Sequence, residues 1–258
     1  MNTEDLIKPF YLDLDESDIR EITAGTEGIL KSGQLILSKY TEQFENEFAA
    51  YTGANHAVAL NSCTSALEAI LTIKLQSSWV YGNKPVKENK VLVPSNTNFA
   101  SVAAIIRAGA SPIFMDMDPD YFAPSFENFL ATYNKHDGIK GVVWVHIGGV
   151  IHPEFTKVVD YCRGEKIFVV EDDAHAHGSS VGGVRAGNLA DGGCFSFFPT
   201  KVMTTIEGGM VTTNSEEEKE ILKSIRNQGK RGQAFGGLHH DLGNSWRISE
   251  ISALMGLV

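Results

Sequence analysis

Seven short, mostly apolar runs, at 56–60, 91–93, 112–115, 142–145, 167–170, 194–197 and 209–212, punctuate this chain of 258 residues. Several are unbroken rather than alternating, Val142-Val143-Trp144-Val145 and Ile167-Phe168-Val169-Val170 among them. That is the pattern of strands covered on both faces. Helical periodicity between the runs predicts helices over 65–75, 100–108, 154–163 and 216–228. Two more, over 16–31 and 41–51, precede the first strand, and Ser32-Gly33 reads as a stop for the earlier one. The alternation predicts an α/β fold, three α/β/α layers around a mostly parallel, mixed sheet. It reads as one domain over 1–258 with a helical segment over about residues 1–52. Residues 247–258 open a further helix, with Ile248, Ile251, Leu254 and Met255 at helical spacing, and the sequence stops inside it. That ending is read as a truncation, a split gene, or a helix docked on a partner.

Composition removes several function classes. A net charge of −10 argues against a nucleic-acid binder, which needs a basic face. No apolar run approaches a membrane span, and residues 1–10 lack the basic-then-apolar pattern of a secretory leader. Cys63, Cys162 and Cys194 cannot all pair with one another and show no CxxC spacing, which fits a reduced, cytoplasmic setting.

Ligand sites of open α/β sheets form at the carboxyl ends of strands. Three such ends carry unusual residues. Lys201 closes Ser196-Phe197-Phe198-Pro199-Thr200-Lys201 and is expected to lie buried where a strand runs into a turn. Desolvation there would make the neutral amine accessible, the condition for a Schiff base; a snorkelling surface lysine is the alternative. After the run at 56–60, Asn61-Ser62-Cys63-Thr64-Ser65 opens a helix. Its free N–H groups and hydroxyls would seat a phosphate, and ordinary N-capping explains the same residues. After the run at 167–170 stand Glu171, Asp172 and Asp173, costly beside apolar sequence unless something cationic meets them. A protonated ring nitrogen, a metal held by Asp172, His175 and His177, or an exposed acidic turn would each account for them. A lysine nucleophile, a carboxylate for a ring nitrogen and a hydroxyl-rich phosphate seat together match the needs of pyridoxal 5′-phosphate.

The order of these motifs resembles that of the DegT-type sugar-nucleotide aminotransferases, a branch of the fold type I pyridoxal-phosphate enzymes. The resemblance runs through Ser32-Gly33, 44–49, 57–67, Val93-Pro94-Ser95-Asn96-Thr97, 110–114, Glu171-Asp172, 196–201, Glu207-Gly208-Gly209 and Trp246-Arg247-Ile248-Ser249-Glu250. It implies that the chain is the large domain of such an enzyme, without the family's smaller C-terminal domain. Lys201 would be the Schiff-base lysine, Asp172 the partner of the pyridine nitrogen, and His175 a neighbour of the ring. Ser196, Cys63 and Thr64 would hold the phosphate. Lysine at 201, where related sugar dehydratases carry histidine, favours transamination. Asn98 stands where the family usually has a stacking aromatic, with Phe99 next to it as a substitute. Ser245 replaces an asparagine that reaches the cofactor of a neighbouring subunit. The resemblance further implies a nucleotide-linked keto sugar as acceptor, an amino acid, glutamate first, as donor, and a homodimer with shared active sites. A non-catalytic relative that serves as a binding or assembly partner is the alternative.

Overall fold

Each of the seven runs forms a strand of one sheet. The computed structural model describes residues 12–76, 89–232 and 236–258; residues 1–10, read above for a leader, lie outside them. The chain begins with α1 (Glu16–Ser32), α2 (Lys39–Thr52), β1 (His56–Leu60), α3 (Cys63–Lys74), β2 (Lys90–Pro94), α4 (Phe99–Arg107) and β3 (Ser111–Met115). It continues with α5 (Phe126–Tyr133), β4 (Ile139–Val145), α6 (Phe155–Glu165), β5 (Phe168–Asp172) and a small hairpin of β6 (Ser180–Val181) and β7 (Val184–Arg185). It closes with β8 (Gly193–Ser196), β9 (Gly209–Thr213), α7 (Glu216–Ile225) and α8 (Glu250–Met255).

The strand order is β1-β9-β8-β5-β4-β2-β3. All neighbours run parallel except at β9, which is antiparallel to β1 and to β8. The reversal places the first residue of β9 at the carboxyl edge of the other strands: Gly209 pairs with both Leu60 and Ser196.

Period-two alternation within the runs explains the layers. Val91, Val93, Val143, Val145 and Val170 pack on one face with α3, α4 and α7. Leu92, Val142, Trp144 and Val169 pack on the other with α5 and α6. Further along that second layer, Phe44 and Phe48 of α2 meet Phe195, Phe197 and Met210. The edge strand β3 departs from the expected burial, with Phe114 54% exposed. Its Pro112, which has no N–H to give, suits an edge.

Four elements differ from the sequence expectation. Helix α7 stops at Ile225 rather than at 228, because Gln228 and Gly229 take left-handed conformations at φ 60° and 78°. Helix α8 starts at Glu250, behind the Ser249 cap, so Ile248 precedes it. Helix α5 was not anticipated; a capping box between Ser125 and Asn128 starts it, with asparagine where glutamate is the usual signal. The hairpin β6–β7 turns on Gly182-Gly183, both at positive φ.

Candidate active site

The carboxyl edge of the sheet surrounds a cavity of about 490 Å³, a size typical of small-ligand sites. Its wall brings together all three strand ends singled out above: Cys63 and Thr64 after β1, Asp172 closing β5 with His175 beyond it, and Ser196 closing β8 with Lys201 beyond it.

Lys201 sits differently from expectation. Strand β8 ends at Ser196, and Lys201 lies half-buried on the loop beyond it. The loop is closed on itself, not slack. Phe197 N–H donates to the Gly208 carbonyl at 3.0 Å, Thr205 N–H to the Phe197 carbonyl at 3.0 Å, and Lys201 N–H to the Phe198 carbonyl at 2.9 Å. The amine is therefore brought to the cavity by a braced turn instead of being entombed in a strand.

Asp172 is 4% exposed. Burial pushes its carboxyl above the ordinary range, while hydrogen bonds from Ser101 and Ala174 and the His175 and Lys201 charges pull it back part of the way. Its Oδ2 accepts from the Ser101 hydroxyl at 2.6 Å and its Oδ1 from the Ala174 N–H at 3.2 Å. His175 meets the Gly148 N–H with Nδ1 at 3.2 Å, which leaves the proton on Nε2. Gly148 makes that contact from a turn at Ile147–Gly149 where its φ is 62°.

At the start of α3, Ser62 takes the N-cap and accepts the Ser65 N–H at 3.1 Å, as ordinary capping predicts. The cap leaves the Cys63 and Thr64 amides, the first two of the helix, for an anion. A side chain at Gly209 would close this seat, since a Cβ there would lie 2.3 Å from Ser62 C and O and 2.5 Å from Cys63 N. The glycine lets β9 press against the helix start. Burial raises the Cys63 thiol well above its ordinary pKa, so Cys63 offers no thiolate.

Not every anticipated residue converges. Asn98 lines the cavity as the N-cap of α4, its Oδ1 taken by the Ala100 N–H at 2.9 Å. Phe99 is 78% exposed and forms no part of the wall. Ser245 is exposed and outside the wall, bridged to Asn227 and accepting from Arg247 Nη2 at 3.3 Å. His177 packs against Phe195 and Phe197, and burial, then the Lys201 charge, hold its pKa at about 4.

Asp172, His175 and His177 do not form a metal cluster. Among the described residues, the group with metal-ligand spacing is His146, Glu171 and Asp173, all fully buried. Glu171 is already occupied as a structural acceptor, with Oε1 taking the Leu189 and Ala190 N–H groups at 3.0 Å each. Its Oε2 lies 3.3 Å from both the Gly187 N–H and His146 Nε2.

Two residues escaped the sequence reading. Ser101, fully buried, read only as one position of a helix, and Thr97, just ahead of the Asn98 cap, only as part of a motif; neither carried a local signal of the contact it makes.

The donor set fits pyridoxal 5′-phosphate: an amine on a braced loop, a buried carboxylate and a capped helix start with a glycine-walled recess share one cavity. Comparison with known proteins agrees. The profile of the DegT/DnrJ/EryC1/StrS aminotransferase family matches residues 16–258. The chain is similar to the GDP-perosamine synthase of Caulobacter vibrioides, at 33% identity over 86% of this chain and 56% of that protein. It is similar to the spore coat polysaccharide biosynthesis protein SpsC of Bacillus subtilis, at 34% identity over 88% and 54%. A solved sugar aminotransferase of Streptococcus pneumoniae in its PLP form superposes with a TM-score of 0.81 at 26% identity, over 95% of this chain and 64% of that one. The chain thus spans little more than half the length of either curated relative.

Proposed function

The chain belongs to the DegT/DnrJ/EryC1/StrS aminotransferase family, and from that premise we propose that it transfers an amino group from an amino acid, glutamate first, to a keto sugar carried on a nucleotide. The observation that carries this reading is the single cavity with Lys201, Asp172 and the α3 start on its walls. Pyridoxal 5′-phosphate, when bound there, would supply an electron sink for the substrate carbon.

The chain's own residues divide the remaining work. Lys201 Nζ would hold the cofactor's aldehyde at rest and, once released, carry the proton between the substrate carbon and the cofactor. Asp172 would keep a proton on the ring nitrogen, and His175 would offer its Nε2–H beside the ring. Ser196, 7% exposed, and the Cys63-Thr64 amides would hold the phosphate. Asn98, polar and engaged as a cap, would border the ring without stacking on it.

Two copies would form the working unit, with Ser245 of each serving the other's cofactor. Its exposed position outside the cavity of its own chain supports this, and sedimentation of the cofactor-loaded chain as monomer alone would count against it. A cytoplasmic setting suits the three cysteines, all free and buried. Among the described residues no helix is long and apolar enough to cross a membrane.

Incubation of the purified chain with pyridoxal 5′-phosphate and glutamate tests the reading. Formation of pyridoxamine 5′-phosphate is expected, and its absence at full cofactor loading, with glutamate and with other amino acids, would contradict transamination.

A further inference from the structure

A buried carboxylate can relieve its isolation by taking a proton or by swinging toward another donor. Asp172 is restrained from both by a hydroxyl pair at the start of α4, Thr97 just ahead of the Asn98 cap and Ser101 in the first turn. Ser101 Oγ donates to Asp172 Oδ2 at 2.6 Å, and Thr97 Oγ1 lies 2.7 Å from Ser101 Oγ. An ionised carboxylate only accepts, so the Ser101 proton is committed to Asp172. Ser101 must then accept from Thr97, and the direction of the chain is set: Thr97 O–H to Ser101, Ser101 O–H to Asp172. Thr97 lines the cavity, whereas Ser101 is fully buried.

We propose that Ser101 is a positioning residue for the Asp172 carboxylate, and that Thr97 strengthens its hold from the cavity side. The inference rests on the reading of Asp172 as partner of the cofactor's ring nitrogen. The other Asp172 oxygen is bonded by the Ala174 N–H, only two residues on and part of the same strand end. That contact travels with Asp172 and fixes nothing against the rest of the site. Ser101 instead comes from another element, anchored in the core through Ala104 and Ile105. A helical serine ordinarily spends its hydroxyl on a carbonyl one turn back. Here it spends it 71 positions away in sequence. A charge-assisted bond of this length stabilises the anion and fixes the carboxylate's rotation together.

A double-mutant cycle on the 258-residue chain tests this, with pyridoxal 5′-phosphate affinity and the bound cofactor's absorption spectrum as readouts. Ser101→Ala should weaken binding roughly tenfold and alter the spectrum, the size expected for a hydrogen bond to a charged group. Thr97→Val should shift both in the same direction by less. In an Asp172→Ala background, where no acceptor is left for its hydroxyl, Ser101→Ala should add nothing. Urea unfolding of the cofactor-free chain supplies a second cycle, in which positions 101 and 172 should again be coupled. Unchanged affinity and spectrum in Ser101→Ala, or an equal loss in the Asp172→Ala background, would overturn the inference while leaving the proposed function standing. Coupling in the cofactor-free chain without any cofactor uptake by the unmodified protein would instead overturn the proposed function, and the positioning role with it.

Discussion

Asp172 and Asp173 are adjacent, and only the first reaches the cavity. Asp173 is fully buried, neither of its oxygens finds a hydrogen-bond partner, and His146 Nε2 stands 3.9 Å away. Burial first, then the Glu171 and Asp172 charges, push its carboxyl well above the ordinary range. The sign of its effect on stability follows. The folded chain holds this proton where the unfolded chain has lost it, so the contribution is full below about pH 4 and fades as pH rises through the raised value. Asp173→Asn, which stays neutral, should raise stability at pH 7, with the gain shrinking toward pH 4. Thermal melts of both chains across that range measure it; a less stable variant at pH 7 would contradict the account. This distinction was illegible in the sequence, where Glu171, Asp172 and Asp173 formed one acidic run. Their separate fates depend on which partner each meets: backbone N–H groups for Glu171, Ser101 for Asp172 and none for Asp173.

At the scale of elements, the site depends on β9 running against its neighbours. Gly209 opens that strand beside Leu60 and Ser196 and touches the start of α3. Gly209→Ala would drive a methyl group into the Ser62-Cys63 backbone, which has no flexible end to yield. A loss of about 2 kcal/mol in urea unfolding, with weaker cofactor binding, is expected, and unchanged stability would contradict the close packing. A second tie fastens α8 to α2. The buried Glu250 carboxylate accepts the Ser38, Tyr40 and Thr41 N–H groups at 2.9, 2.8 and 3.0 Å, capping α2 from over 200 positions away. The strands and most helices were legible because burial on two faces leaves unbroken β-branched runs. Helix ends were less so: left-handed Gln228 and Gly229 stop α7 early, and the Glu250 cap is invisible to local patterning.

For the molecule as a whole, one sheet edge collects residues from positions 62 to 208 into a single wall. The strand-end rule made Asp172, Ser196, Lys201 and the α3 start findable in advance. It did not reveal Ser101, because a serine inside a helix carries no mark of where its hydroxyl points. Ser245 was equally beyond it, since it stands exposed and outside the cavity wall of its own chain. The central claim is that Lys201, of the lysines in this chain, carries the cofactor. Borohydride reduction of the chain incubated with pyridoxal 5′-phosphate, followed by peptide mapping, tests it most directly. The account predicts one pyridoxyl group, on Lys201, and none in Lys201→Ala at the same cofactor concentration. Label on another lysine, or equal label in the variant, would contradict it.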